Sequence, residues 1–403
     1  ASNAPSLFTL ASAAVWRIPL PTRRHRLTKP HHNAAYDSAW FLPRNTRRLC
    51  FCLLFLSGLC TGKTWPRLSM VDVTSMRLVH YPCKNLPILA GECVVPAEIE
   101  RIDRRTASAW AKGISVDDYL RRERFLKTRP YAAGMTIHAL LDDDGSDLQA
   151  QILASCETYR VPVVVPGRRT IGFGLGVASV FVDEPLRGHG FAATLIQHVH
   201  DHFRAQGAAM MYLMSEIGPT LYARLGYVTT PLSLRRFPAA PLPAGLRVEP
   251  IHADELATLI PRLPPPSSPL YIPANREQLD WHFARGQFYA GLAQGELPTE
   301  IGARSADAVA IWDVDHRPDC RRVRVLLVAA EKPSVHVEHV LCAAAAAAHA
   351  VGLPFAEVWE TAALSPFLDG GIKIEADDLP MLCPLAPDVS ATDFLDVQRF
   401  HWL

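Results

Sequence analysis

A glycine-bearing turn between an apolar run and a helical segment is the part of this sequence best suited to chemistry. The apolar run Gly176–Val182 has the length of a buried strand, and the residues Arg187-Gly188-His189-Gly190-Phe191-Ala192 follow it. Small residues let a backbone approach an anion closely, and the N–H groups at a helix start have no partner within the helix. Together with the helix dipole, they can bind phosphate. The alternative is an ordinary tight strand–helix turn, because neither a P-loop nor GxGxxG is present.

The residues downstream of this turn complete a larger pattern. A second apolar run, Ala209–Met214, follows the helical segment Phe191–Gln206, and Tyr222–Tyr227 reads Tyr-x-x-x-Gly-Tyr. The order strand, Arg-x-x-Gly-x-Ala, helix, strand, Tyr-x-x-x-Gly-Tyr resembles the acetyl-CoA signature of the GCN5-related N-acetyltransferase (GNAT) superfamily over roughly residues 130–230. The resemblance implies an α/β (α+β) fold, with a mixed twisted sheet flanked by helices, and acetyl-CoA as cosubstrate.

A narrower resemblance concerns five further segments. They are similar to fungal lysine N6-acetyltransferases of lysine degradation: Tyr119–Glu123, Leu153–Thr158, Ala178–Phe181, Ser215–Gly218 and Asp280–Arg285. This resemblance implies a second, acetyltransferase-like C-terminal domain. It also implies transfer of the acetyl group to the ε-amine of free L-lysine.

The superfamily resemblance assigns residues to the cosubstrate. The pantetheine arm would lie between Val177–Val182 and Ala209–Met214, and the pyrophosphate would lie on the amides of Arg187–Ala193. His189 is expected to contribute only its amide, and Ser215 stands where many relatives have Asn. The implied cosubstrate-binding residues are Val180, Phe181, Val182, Arg187, Gly188, His189, Gly190, Phe191, Ala192, Ala193 and Ser215.

Two residues are candidates for proton transfer. A lysine amine with an ordinary pKa of about 10.4 is mostly protonated at neutral pH, so the reaction needs a base. Glu157, beside the apolar Ile152–Ala154, is the candidate, directly or through water; the alternative is a strand-edge carboxylate in a salt bridge. Tyr222 matches the superfamily's tyrosine that protonates the departing thiolate; the alternative is a core tyrosine that packs the short helix.

The carboxylate of a free amino acid requires a cation in the protein. Arg160, His282 and Arg285 are the candidates. A helix that packs between domains explains His282 and Arg285 equally well.

No metal site is predicted. His198, His200 and His202 lie in one helical segment without a Glu-x-x-His pattern, which favours a solvated helix face. Cys156 has no paired histidine, so we interpret it as a buried small residue rather than a nucleophile.

The elements that position these residues follow from the spacing of apolar residues. Helices are predicted over Pro96–Trp110 and after the cap Ser115. Pro162 is predicted to divide Gln151–Val165 into two strands, and Pro231–Pro250 is predicted to be a linker. The order strand, strand, helix, strand recurs in the second half, which could therefore be a degenerate copy of the first.

Composition excludes several classes of function. Residues 1–69 hold ten Lys and Arg and one acid, whereas residues 70–403 hold 31 basic and 39 acidic side chains, which argues against a nucleic-acid surface. The apolar run Leu49–Leu56 is too short for a membrane span, which takes about 20 residues. Nine scattered cysteines without a CxxC pair indicate reduced thiols.

Three segments are predicted. Residues 1–69 are a basic extension, either a transit or signal-like segment or upstream sequence that is not native coding. Residues 70–240 form the acetyl-CoA-binding domain, and residues 241–403 form the acetyltransferase-like domain. The expected partner is a small amine, L-lysine, and neither nucleic acid nor a membrane; the oligomeric state is open.

The expected location is cytoplasmic, or mitochondrial if the extension is a transit peptide. Two alternatives to lysine acetylation remain open. One is acetylation of another small amine or of a protein N-terminus. The other is a catalytically silent acyl-CoA-binding protein.

Overall fold

Two seven-stranded mixed sheets flanked by helices, with a small two-stranded sheet, make up the computed structural model, which describes residues 76–142, 150–332, 334–376 and 378–403. The predicted fold class is confirmed. The strands are β1 (Met76–Pro82), β2 (Ile88–Leu89), β3 (Glu92–Cys93), β4 (Met135–Asp142), β5 (Ile152–Val163), β6 (Gly172–Phe181), β7 (Met210–Ser215), β8 (Val228–Thr229), β9 (Ser233–Pro238), β10 (Glu249–Ile251), β11 (Gly302–Ser305), β12 (Ala308–Asp315), β13 (Arg322–Ala330), β14 (Phe355–Glu360), β15 (Ile372–Glu375) and β16 (Leu379–Pro384). The α-helices are α1 (Ala97–Trp110), α2 (Val116–Leu126), α3 (Phe191–Ala205), α4 (Thr220–Ala223), α5 (Leu256–Leu259), α6 (Arg276–Ala293) and α7 (Val335–Ala350).

Both sheets follow one plan. The first has the order β1-β4-β5-β6-β7-β16-β8 and the second β10-β11-β12-β13-β14-β9-β15. The fourth and fifth strands of each sheet are parallel, and a long helix, α3 or α7, connects them. The remaining neighbours are antiparallel. The recurrence of strand, strand, helix, strand is therefore confirmed.

Each sheet contains one strand from the other half of the sequence. β16 lies between β7 and β8, and β9 lies between β14 and β15. All described residues belong to one structural unit. The domain boundary at residue 240 stays a prediction. β9 precedes it but completes the second sheet, and β16 follows it but completes the first.

Two predictions about proline are wrong. β5 continues through Pro162, which pairs with Phe173 of β6. The pairing between β4 and β5 ends at Tyr159. Beyond that residue, the edge of β5 that faced β4 needs no N–H donor, so it tolerates proline. The segment 231–250 is no simple linker, because Ser233–Pro238 within it forms β9 of the second sheet.

The helices bury apolar faces against the sheets. α3 covers the first sheet with Leu195, Ile196 and Val199, which are all fully buried. The alanine run of α7 lets that helix approach the second sheet closely. Among the described residues, no helix combines the length and apolarity that a membrane crossing requires. The predicted basic extension, residues 1–69, lies outside the described residues.

Candidate active site

The glycine turn before α3 presents a row of main-chain donors. Gly188 and Gly190 have φ angles of 83° and 85°, in the left-handed region that favours glycine. Gly190 is the N-cap of α3, and neither a capping side chain nor an acid satisfies the first turn of this helix. Within the described part of the chain, the N–H groups of residues 188–193 have no hydrogen-bond acceptor. The geometry is that of an anion site.

Arg187 does not extend this row, contrary to prediction. Its N–H donates to the carbonyl of Glu184 at 3.2 Å, which closes the preceding 3₁₀ turn. Its side chain donates from Nε to the carbonyl of Val182 at 3.1 Å. The His189 ring lies near the carbonyls of Leu186 and Arg187, at 3.2 and 3.1 Å from Nδ1.

The two parallel strands of the first sheet separate beside this turn. Their ladder ends at Val177 and Leu213, although β6 continues to Phe181 and β7 to Ser215. The cleft between them has a cavity volume of about 230 Å³ and reaches Val180, Ser215 and Tyr222. A larger cavity of about 690 Å³ lies beside the second sheet, away from these residues.

Four of the predicted cosubstrate residues take different positions at this opening. Val180 lines the cleft, whereas Phe181 is buried against Trp110. Val182 follows the end of β6 and packs on the core beneath α3. The Ser215 hydroxyl donates to the carbonyl of Gly218 at 2.7 Å, so it stabilises its own turn.

Glu157 lies on β5 with its half-buried carboxylate at the cleft. The hydroxyls of Tyr159 and Ser179 donate to its Oε2 at 3.3 and 3.2 Å. Ser179 belongs to a β-bulge and has a φ of 52°. Burial raises the pKa of Glu157 to about 7, against the opposing effect of the Lys127 ammonium. A carboxyl group with this pKa can accept a proton near neutral pH.

A buried charge network lies behind Glu157. Lys127 Nζ lies 3.1 Å from Asp103 Oδ2 and 3.5 Å from Glu123 Oε2, and Arg122 pairs with Glu123. Carboxylate oxygens of Asp103, Glu123 and Glu157 lie within 4.8 Å of one another, close enough to hold a metal ion. Because the Lys127 ammonium already supplies a cation here, charge balance does not require a metal.

Tyr222 reaches the same cleft from α4. It is buried, and burial raises the pKa of its phenol above the usual value, so the group stays protonated. Its hydroxyl has no acceptor among the described residues and can donate to a ligand. Cys156, on β5, is buried, and burial raises its thiol pKa; this agrees with a packing role.

The structure separates the three predicted carboxylate ligands. Arg285 lines the cleft and is buried. Tyr159 also faces the cleft, so its neighbour Arg160 points to the opposite face of β5, where it is exposed and lies over the Phe173 ring. His282 is fully buried outside the cleft, and its Nε2–H donates to the carbonyl of Phe400 at 3.1 Å. Of the three predicted ligands, only Arg285 therefore lines the cleft.

The predicted solvated histidine face of α3 is correct only in part. His198 is exposed. His200 is buried, with its Nε2 3.1 Å from the hydroxyl of Tyr227. His202 stacks on the ring of His80.

Sequence reasoning missed the roles of Glu123 and Lys127. Tyr119, Glu123 and Lys127 follow one another at intervals of four residues. All three are buried on one side of α2, where Lys127 is the C-cap. Charged residues at core positions of an amphipathic helix are a signal that could have identified them.

Residues 107–230 match the family model described as an acetyltransferase (GNAT) domain. A comparison with curated proteins gives no match. The matched segment 107–230 includes the glycine turn, the separated strands β6 and β7, Glu157 and Tyr222.

The chain is also similar to solved structures at low sequence identity. One is a conserved protein of unknown function from Enterococcus faecalis, described as a probable N-acyltransferase, with a TM-score of 0.50, 11% identity and coverage of 77% of this chain and 72% of that chain. Another is a GCN5-related N-acetyltransferase from Anabaena variabilis, with a TM-score of 0.47, 14% identity and coverage of 77% and 73%. A third is Eis1 from Mycobacterium abscessus, with a TM-score of 0.42, 12% identity and coverage of 77% and 73%. At this identity, the first likeness concerns the fold alone.

Proposed function

We propose that this chain, whose residues 107–230 match the GNAT acetyltransferase model, transfers the acetyl group of acetyl-CoA to the ε-amine of free L-lysine. The observation that carries the proposal is Glu157, a carboxyl group with a raised pKa in the cleft where β6 and β7 separate. The family match supports acyl-CoA chemistry. The choice of lysine rests on the sequence resemblance to fungal lysine N6-acetyltransferases.

Acetyl-CoA fits the residues that are present. The donor row of residues 188–193 suits a pyrophosphate, and the main chain of β6 beyond Val177 has no β7 partner. Those unpaired groups can hydrogen-bond an amide-containing arm as a neighbouring strand would. When bound, acetyl-CoA supplies an activated thioester.

The residues of the cleft provide the two proton transfers. The neutral amine attacks the thioester carbonyl, so that a C–N bond forms and the C–S bond breaks. Glu157 accepts the proton from the amine, directly or through water, and the Tyr222 hydroxyl donates a proton to the departing sulfur. Both groups line one cleft, on β5 and α4.

Release of the CoA thiol from acetyl-CoA tests this function. L-Lysine, spermidine and a peptide with a free N-terminus would be compared as acceptors, with mass spectrometry of the product to locate the acetyl group. We expect turnover with lysine and acetylation at its ε-nitrogen. Turnover with another amine alone would identify a different GNAT enzyme. Acetyl-CoA binding without any turnover would identify an acyl-CoA-binding protein.

A further inference from the structure

An unpaired guanidinium group lies at the wall of the cleft. Arg285, on α6, is only 6% exposed, and its Nη1 has no hydrogen-bond partner. Among the residues that the structure describes, no carboxylate lies within 4.0 Å of it. Burial of a charge without a counterion is costly, so this position requires an explanation.

The acids near Arg285 are already paired with other cations. Arg285 lies close enough to interact electrostatically with the carboxylates of Glu123, Asp313 and Asp315. Each of these carboxylates, however, forms an ion pair with a different arginine; the pairs are Arg122–Glu123, Arg324–Asp313 and Arg317–Asp315. Each carboxylate on which Arg285 acts therefore already has another arginine as its ion-pair partner.

Aromatic rings surround Arg285 without neutralising it. Its guanidinium lies 4.5 Å from the Trp402 ring centroid and 5.5 Å from that of Tyr289. Such contacts stabilise a cation but leave its charge uncompensated. Burial, followed by the repulsion from Arg317, lowers the pKa of Arg285 to about 9, so it remains a cation at neutral pH.

Glu157 and Arg285 both line the cleft, together with apolar side chains. Trp281 also lines the cleft, and its ring lies 6.3 Å from that of Tyr159, which hydrogen-bonds Glu157. The cleft thus offers a proton acceptor, a wall of aromatic rings and an unpaired cation. An amine separated from a carboxylate by methylene groups complements all three features.

We propose that Arg285 binds the α-carboxylate of the acceptor, so that the cleft selects free amino acids over polyamines and peptide-linked amines. This inference rests on the proposed function, because it names the class of acceptor for that reaction. The planar guanidinium can form two parallel hydrogen bonds with a carboxylate, which orients the acceptor and balances the buried charge.

Two acceptors that differ only in the carboxylate test the inference. The experiment compares L-lysine with 1,5-diaminopentane, in the wild type and in Arg285→Gln. We expect kcat/KM for lysine to fall by at least about 30-fold in Arg285→Gln, because a buried charge pair is lost. The value for diaminopentane should change by less than about threefold, because diaminopentane has no carboxylate for Arg285 to bind.

Two variants serve as controls. Arg285→Lys keeps the charge without the planar fork and should retain part of the lysine preference. Arg160→Gln removes an exposed arginine outside the cleft and should leave both rates unchanged. Melting temperature and acetyl-CoA affinity report whether each variant is folded.

The outcomes separate this inference from the proposed function. Equal wild-type rates with the two acceptors, or an equal loss of both rates in Arg285→Gln, would overturn the inference while leaving the acetyltransferase intact. If the wild type acetylates neither, the proposed function fails, and calorimetric titration of the two amines decides the inference. Binding of lysine that requires both the carboxylate and Arg285 would then support it, and its absence would overturn it.

Discussion

The two halves of the molecule share a strand order but differ at the end of their parallel strands. In the first sheet, the ladder between β6 and β7 ends at Val177, and the main chain beyond it borders a cleft. In the second sheet, the ladder between β13 and β14 ends at Arg324, and β13 continues to Ala330. There, Gln398 forms hydrogen bonds with both main-chain groups of Val328, at 2.7 and 3.0 Å.

The helices that follow the parallel strands differ in the same way. α3 begins at Gly190 with no capping side chain and no acid in its first turn. α7 begins at Ser334, whose hydroxyl accepts from the N–H of His336, and Glu338 lies in its first turn. An acid and a side-chain cap both satisfy the positive end of a helix.

This difference teaches that the strand order alone does not create a site for an acyl carrier. Protein side chains satisfy the main chain of Val328 and the first turn of α7, whereas the corresponding groups of the first half are available to a ligand. We therefore expect acyl-CoA to bind at the first sheet only, and the following experiments test this distinction.

The largest effect is expected from Gly188→Val combined with Gly190→Val. Both positions have left-handed φ angles, so valine distorts the turn and places side chains where an anion would lie. Acetyl-CoA affinity should fall by at least about 1,000-fold, since several hydrogen bonds to a charged ligand are lost together. Calorimetry with acetyl-CoA measures this loss.

Two controls accompany this double variant. Gly167→Val introduces the same backbone strain in an exposed turn, at a φ of 76°, and should leave affinity unchanged. Ser334→Ala uncaps α7, costs about 1 kcal/mol of stability and should also leave affinity unchanged. Full affinity in the double variant would place acetyl-CoA elsewhere.

The next largest effect is expected from Tyr222→Phe. The variant removes the proton donor and leaves the ring, so kcat should fall roughly 100- to 1,000-fold. Acetyl-CoA affinity should stay within about threefold, because a proton donor acts in the transition state. Steady-state kinetics and calorimetry measure the two quantities, and equal losses in both would indicate a packing role.

A somewhat smaller effect is expected from Glu157→Gln. Because Glu157 is active when ionised, wild-type kcat/KM should rise with pH through its pKa of about 7. The variant should lose this inflection and about 100-fold in rate. The exposed Asp201→Asn provides a control that should retain the wild-type profile. An unchanged inflection in Glu157→Gln would assign the pH dependence to another group.

The pH dependence of the protein's stability provides a second test of Glu157. The folded pKa of Glu157 lies above its ordinary value, so its contribution is fully present at low pH and is lost as pH rises through about 7. The melting temperature of Glu157→Gln relative to the wild type should therefore be higher at pH 8 than at pH 5.

The smallest effect is expected from Gln398→Ala, in the second half. Loss of its side chain leaves the main chain of Val328 without these partners and should lower the free energy of unfolding by about 2 kcal/mol. Gln206→Ala, at an exposed position, should change it by less than about 0.5 kcal/mol. Acetyl-CoA affinity should be unchanged in both, and a loss in Gln398→Ala would contradict the distinction between the halves. Urea denaturation measures the stability change.

Local features of the site could be predicted from the sequence. The turn 187–192 depends on residue types at consecutive positions, and the capping of α2 by Ser115 depends on a spacing of three. Glu157 could be identified because it interrupts an apolar strand. These features require only short-range information.

Features that depend on distant segments could not be predicted. The unpaired state of Arg285 follows from the ion pairs of three other arginines. α6 buries Gln278, His282 and Arg285 on one face, so its sequence lacks an apolar stripe that would orient the helix. The positions of β9 and β16 depend on pairing with strands more than one hundred residues away.

The exchanged strands β9 and β16 have a consequence for the chain as a whole. Cleavage of the chain between β9 and β16 would give two fragments, each of which lacks one inner strand. The strands beside each gap would expose unpaired main-chain groups, which promote aggregation. Neither half is a self-sufficient module. Deletion of the C-terminal half would remove β16 from beside β7, so the first sheet could not remain complete without the second half of the chain.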